Sequence, residues 1–340
     1  MKNVSRIFSK AAALLLIVSA MPMEANAQEA RAEAVMLYND ARELAGGQQF
    51  LDAIEMYREA YEIASSDECE DCEDIVDLIE QQLPRVYLSR ASNVFQEARS
   101  GRNLDAADRS IQYFEEAAAA GDEFGDNQVS SQSRHVIPQI HYFKSVIQFQ
   151  QERFEDALSS LDRAIELNEN YALAYYQRAI VLNNMDRPLD EVIDAFDRAI
   201  EVGQQVGDTE NVNRSQRRAG AELVYRAAQL IEQENYNDAL VRLEQAERYT
   251  PNNKDVHYRF AEALNFIGEH RRAIEYANRS LELEDGGVTD RAKIYFELGI
   301  AYKGLEMIDE ACAAYENAAY GEFRDPALHT MEYELECPGF

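Results

Sequence analysis

Tryptophan is missing from this chain, and glycine and proline are scarce, 15 and 7 among 340 residues. Few helix breakers, a dominance of Ala, Glu, Leu, Arg and Gln, and little alternation with a period of two exclude a strand-rich fold and predict an all-α protein. Lysine is rare as well: Lys2, Lys10, Lys144, Lys254, Lys293 and Lys303 are the whole set, and arginine supplies the other cations. The 33 basic residues are outnumbered by 63 acidic ones, for a formal net charge of -30. Such a field repels phosphate backbones and anionic lipid, so no nucleic-acid partner is expected, recruitment to a membrane surface by charge is disfavoured, and basic or neutral partners suit the chain better. With 46% hydrophobic residues over this length, a large core is expected in spite of the charge.

Catalytic constellations are lacking too. The five histidines, His135, His141, His257, His270 and His329, are scattered singly. There is no Gly-rich phosphate loop, no H-E-x-x-H and no G-x-S-x-G. The expectation is a protein that is not an enzyme, with no cofactor and no metal.

Residues 1–27 read as an export signal. Lys2, Arg6 and Lys10 form a positive start, Ala11 to Ala20 an apolar stretch, and Ala25-Asn26-Ala27 an A-x-A cleavage site. Cleavage after Ala27 would leave Gln28 at the mature N-terminus, in a periplasmic or secreted protein if this compact signal is bacterial. No later run approaches the roughly 20 apolar residues a membrane-spanning helix needs, and no Cys follows the cleavage point to carry a lipid.

What the chain has in abundance is one pattern, clearest in Phe154, Ala157, Leu161 and Ala164. The spacing places them on one stripe of a helix that packs closely on a neighbour. It returns in Phe50, Ala53, Tyr57 and Ala60; in Leu189, Val192, Phe196 and Ala199; in Tyr236, Ala239, Leu243 and Ala246; and in Ile308, Ala311, Tyr315 and Ala318. His270, Ala273, Ala277 and Ser280 are a weaker copy. About 12 residues before the first small residue of each copy lies another small one, Ala41, Ser145, Ala227, Ala261 or Gly299, with Ala179 one residue further off. Two helices per unit at a period between 20 and 50 residues describe a solenoid.

These units resemble tetratricopeptide repeats (TPRs), whose pattern places small residues at positions 8, 20 and 27 and large ones at 17 and 24. The resemblance covers units 34–67, 138–171, 172–206, 220–253, 254–287 and 292–325, and a lengthened, irregular unit at 84–121. It implies a right-handed α-solenoid of six to seven helix-turn-helix repeats over 28–325, closed by a capping helix and tail at 326–340. Pro84 and Pro138 are read as kinks or true starts of their helices. Asp126 or Asn127, and Asp208 or Thr209, suit the N-caps of long first helices.

Four cysteines suit an exported protein. Cys69 and Cys72 lie in an acidic C-x-x-C, where the neighbours oppose a lowered thiol pKa. A structural disulfide is expected there, with a thiol-redox pair as the alternative; the surrounding acids could also bind calcium loosely, although their spacing is not that of an EF-hand. If the last repeat's second helix runs over 308–320 and the cap runs back, Cys337 lies beside Cys312, and a bond between them would close the open end of the solenoid.

In the repeat family, first-helix positions 2, 5, 6, 9, 12 and 13 face a concave groove. Position 5 is Tyr38, Tyr142, Tyr176, Val224, Tyr258 and Phe296, and Phe143, Phe149, Tyr225 and Phe266 occupy other groove positions. Two readings stand: an aromatic strip that takes an extended peptide or an amphipathic helix, or packing of these rings on the next repeat. Position 9 carries Arg42, Val146, Ile180, Ala228, Glu262 and Ile300, so the family's carboxylate clamp is missing, and the groove cations Arg42, Arg259 and Lys303 do not cluster. The resulting expectation is a scaffold or adaptor for a protein partner in the envelope or the secreted space. A thiol-redox helper using Cys69 and Cys72, or a self-assembling structural element, are the alternatives; no sequence feature indicates a homo-oligomer.

Overall fold

The computed structural model describes residues 23–339, with side chains from Ala27 onward. The expected signal segment therefore lies almost wholly outside the described residues. Among these the regular structure is helical, and consecutive helices pack in antiparallel pairs. The fold is all-α, of the TPR type. Two compact units divide it, one ending at Glu169 and one beginning at Asn170.

The N-terminal unit holds α1 (Met23–Gly46), α2 (Phe50–Ala64), α3 (Glu73–Gly101), α4 (Leu104–Glu123), α5 (Asn127–Gln150) and α6 (Phe154–Leu167). Asn103 and Asp126 cap α4 and α5, each side chain accepting a hydrogen bond from the backbone N–H three residues on. Pro84 and Pro138 are not helix starts: α3 and α5 run through both. A proline costs its helix one hydrogen bond and a clash with the preceding turn. Burial of both rings in the core accompanies their retention here.

The C-terminal unit holds α7 (Ala172–Asn184), α8 (Leu189–Val206), α9 (Thr209–Glu232), α10 (Tyr236–Tyr249), α11 (Lys254–Phe266), α12 (His270–Leu283), α13 (Val288–Gly304) and α14 (Ile308–Ala318). Asp208 caps α9 by accepting from Asn211 N–H at 3.1 Å. In place of one capping helix, the end of the chain folds as a 3-10 turn (Gly321–Phe323), the short α15 (Arg324–His329) and a π-turn (Thr330–Glu334). The π-turn arises because Leu335 N–H bonds to Thr330 O at 3.0 Å, and the next link, from Cys337 N–H to Met331 O at 2.9 Å, turns the tail inward. Cys337 is there bonded to Cys312 of α14, with 5.8 Å between their Cα atoms.

The recurring small residues explain the pairing. Ala41, Ala53, Ala60, Ala157, Ala164, Ala179, Ala199, Ala227, Ala239, Ala246, Ala261, Ala273, Ala311 and Ala318 have no exposed surface. At the corresponding place in α13, a Cβ on Gly299 would meet the Tyr315 ring at 2.7 Å. Large residues between the small ones, Tyr57, Leu161, Phe196, Leu243 and Tyr315, fill the space beside each contact. The turns are equally repetitive: Gln48, Arg102, Glu152, Asp186, Glu234, Gly268 and Glu306 all take positive φ, one at each turn from a first helix to its second. Only one is glycine, so the tight reversal is imposed by packing on residues for which this backbone is costly.

Close packing at Gly299 predicts that Gly299→Ala destabilises the protein by about 1–3 kcal/mol, since overpacking outweighs the gain in helix propensity. Gly46→Ala, with nothing within 4 Å, should be neutral or stabilising; urea denaturation of the two variants checks the contrast. The Cys312–Cys337 bond closes a loop with a sequence separation of 25 and the Cys69–Cys72 bond one of 3. Cys337→Ser should accordingly lower stability by about 2–4 kcal/mol and Cys72→Ser by less, measured without reductant on oxidised protein.

Candidate functional site

The faces of the first helices left open by pairing are the candidate site, and the aromatic residues assigned to them divide into two groups. In the N-terminal unit the rings are largely structural. Tyr38 is only 8% exposed and lies edge-on to Tyr57 at 5.7 Å. Phe143 packs against Phe95 at 5.9 Å in the α3–α5 core, Phe149 lies 5.7 Å from Phe154, and Tyr142 is half-buried. Arg42 of α1 is exposed beyond them.

In the C-terminal unit Tyr176 is half-buried against Phe196 at 6.1 Å, beneath the Arg214 guanidinium at 5.5 Å. Tyr258 is 8% exposed, with the Lys293 ammonium 4.8 Å from its ring and Arg259 at 5.2 Å. Burial and the carboxylates Glu262 and Glu297 push its hydroxyl well above the ordinary tyrosine range. Phe296 sits between Tyr315 at 5.4 Å and Phe323 of the tail at 5.3 Å. The tail thus covers the last first helix, and Glu334 completes the cover through an ion pair with Lys303. Tyr38, Tyr258 and Phe296 each pack against a neighbouring helix or the tail, which accords with the packing reading of these positions.

Two rings remain in the open. Tyr225 of α9 is 59% exposed and Phe266 of α11 is 60% exposed. Phe266 stacks on Tyr236 at 4.6 Å with an interplanar angle of 7°, so one of its faces is supported and the other is free. A large ring held on one side and wet on the other loses little entropy on binding, the usual condition of an interface anchor.

The C-x-x-C region has a different character. Cys69 and Cys72 are bonded, Cys72 is 2% exposed, and the pair packs against the core of the first unit. Arg31 of α1 donates to both Asp74 carboxylate oxygens at 2.7 and 2.8 Å and to Asp71 O. That guanidinium supplies a cation to this acidic loop, and it holds the Asp74 carboxyl below the usual carboxylate range. Among the described residues no group of three or more His, Cys, Asp or Glu side chains converges on a metal-sized space.

Sequence reasoning missed a buried polar link between α11 and α13. Asn265 Nδ2 donates to Glu297 O at 2.9 Å and to Glu297 Oε2 at 2.8 Å, and Asn265 Oδ1 lies 3.2 Å from His270 Nδ1. Burial pushes the Glu297 carboxyl up to about 7, with the Asn265 hydrogen bond opposing and Glu262 assisting. No motif marks it, because a single Glu in an acidic chain looks like any solvated one. A carboxyl raised by folding binds its proton more tightly in the native state. Its contribution is therefore present below the unfolded pKa and is lost as the pH rises from about 4.5 to about 7. Relative to Glu297→Gln, which keeps an acceptor for Asn265, the wild type should lose on the order of 3 kcal/mol across that window. Urea titrations of both proteins at several pH values measure this difference, and equal slopes would contradict it.

Comparison with known proteins bears on the fold. Residues 147–186 match a TPR repeat model, and 230–287 and 292–320 match two tetratricopeptide repeat models. No curated protein matches the chain. Similar solved structures include YrrB, a TPR protein with an unusual peptide-binding site, at 21% identity over 57% of this chain and 91% of YrrB, with a TM-score of 0.34. MamA is 15% identical over 59% of this chain and 97% of its own, with a TM-score of 0.38. The TPR2AB-domain:pHSP90 complex of yeast Sti1 is 12% identical over 91% of this chain and 96% of its own, with a TM-score of 0.30. The repeat-model matches, taken with the helix pairs and their small-residue contacts, support a TPR protein.

Proposed function

We propose that this chain is a non-enzymatic scaffold of the cell envelope or secreted space that docks a peptide or helix of a protein partner on the open faces of its first helices. The observation that carries this reading is the contrast among the first-helix aromatics of the second unit. Tyr258 and Phe296 are used in packing, whereas Tyr225 and Phe266 remain about 60% exposed. Burying a ring of this size on a partner contributes about 1.5–3 kcal/mol, which a soluble chain forgoes while it stands in water. The export part rests on the positive, apolar and A-x-A segments of residues 1–27; mass spectrometry of the protein from its native cell, with Gln28 as first residue, tests it.

The docking part predicts that Tyr225→Ala with Phe266→Ala weakens capture of crosslinked partners from a native extract by about tenfold or more, with the helical circular dichroism unchanged. Tyr38→Ala, which opens a cavity beneath α2, should instead lower the melting temperature. Retention of every crosslinked partner by the double variant would remove the reading.

A further inference from the structure

The net charge of -30 suggests a basic partner, but the charge is not spread evenly over the second unit. Its second helix α8 carries Asp190, Glu191, Asp194, Asp197 and Glu201 against Arg198 alone, and α14 carries Asp309, Glu310 and Glu316 with no cation. The first helices differ. α9 begins at Thr209, eleven residues before the repeat border read from the sequence, and this extension brings Arg214, Arg217 and Arg218 onto a first helix. Asn211, Ser215, Ala219, Leu223, Ala227 and Ile231 form its buried side. Arg214, Arg217, Arg218, Ala221 and Tyr225 follow at helical spacing on the other side, which is open to solvent.

These arginines are not equivalent. Arg214 is engaged, donating to Glu210 at 2.6 Å and lying over Tyr176. Several other cations on first helices are neutralised, Arg259 by Glu262 at 2.7 Å, Lys293 by Asp255 at 3.2 Å, Lys254 by Glu284 at 2.7 Å and Lys303 by Glu334, while Arg226 lies off this face of α9 without an ion pair among the described residues. Arg217 and Arg218 are exposed and form no ion pair among the described residues, although the chain has nearly two acids for each base. Of the nearest acids on the same helix, Glu210 is held by Arg214 and Glu222 accepts from Asn183 at 3.0 Å. Two adjacent unneutralised guanidiniums, a small Ala221 and an exposed Tyr225 thus stand in a row on one face.

We propose that this face docks an acidic peptide segment with an aromatic or large aliphatic anchor, its carboxylates on Arg217 and Arg218 and its anchor on Tyr225. This rests on the docking reading above and names the partner's chemistry. Guanidinium forks match carboxylates in paired hydrogen bonds, and Ala221 lets an extended backbone come close to the helix between the two contacts. The acidic helices α8 and α14 repel the same segment, whereas this face offers it two unpaired guanidiniums beside an exposed ring; Arg226, Arg248 and Arg271 are exposed and unpaired among the described residues as well but stand singly.

The test uses the full mature chain and a short fluorescein-labelled peptide of glutamates around a central phenylalanine, with its lysine counterpart and a neutral serine counterpart. Fluorescence anisotropy should show binding of the glutamate peptide that weakens with salt. It should fall by about tenfold or more in the Arg217→Glu, Arg218→Glu double variant. Arg226→Glu with Arg248→Glu changes the net charge equally at exposed sites off this face and should bind almost as the wild type does; circular dichroism verifies that all variants are folded. Equal loss in that control, preference for the lysine peptide, or no binding of the glutamate peptide overturns the proposal. If the Arg217 and Arg218 changes are silent while Tyr225→Ala still weakens the neutral peptide, the docking face stands and its acidic specificity falls. If the arginine variant instead dissolves an oligomer seen by sedimentation at low salt, the occupant is a second copy of the chain and the proposal is likewise overturned.

Discussion

Everything in this fold depends on how closely two helices can approach where a small residue stands at the crossing. Ala41, Ala53 and Ala60 in the first helix pair, and Gly299, Ala311 and Ala318 in the last, mark the same contacts. A methyl group or a hydrogen there lets the backbones close, and the large residue between, such as Tyr57 or Tyr315, fills what is left. Because the contact is local, each pair needs only its neighbours, and the chain can insert extra turns between pairs without harm. Long helices such as α3, α5 and α9 show that freedom. At Gly121 and Gly203 the chain uses it to bring one long helix onto the next, for a Cβ would meet Ser130 N at 2.7 Å in one case and the Val212 side chain at 2.8 Å in the other.

This locality is also why the fold was so legible. The stripe Phe154, Ala157, Leu161, Ala164 places a helix over Phe154–Leu167, and the structure has α6 at those residues. What periodicity could not settle was where the long first helices begin. Pro84 and Pro138 look like boundaries because proline disfavours a helix interior, yet Asp126 and the residues around Cys72 start α5 and α3 earlier. The end of the chain was harder for a similar reason, since a disulfide and two turn-type hydrogen bonds shape it more than propensity does.

The site was less legible, and the cause is physical. Position in a repeat says which way a ring points, but not what the neighbouring repeat places above it. Tyr258 and Tyr225 occupy adjacent groove positions in two successive units; the first lies under Lys293 and the second has no such cover. The difference lies in residues about 30 to 40 places away along the chain, beyond the reach of any helical period. Arg217 and Arg218 escaped for the complementary reason. They precede the repeat border at 220, so a position-by-position reading of the groove never reached them.

Net charge and local charge therefore argue for different partners. A total of -30 governs the approach of an ion from far away, but within a Debye length of about 10 Å the nearest unpaired groups decide. In this chain most cations on the helices of the second unit are spent on a neighbouring carboxylate, as Arg198 is on Glu201 and Arg279 on Glu282. Such pairs contribute little to stability at the surface, yet they neutralise the cation for any ligand. Arg226, Arg248 and Arg271 are left out of this scheme singly, so what sets the α9 face apart is two such arginines, Arg217 and Arg218, standing beside an exposed tyrosine.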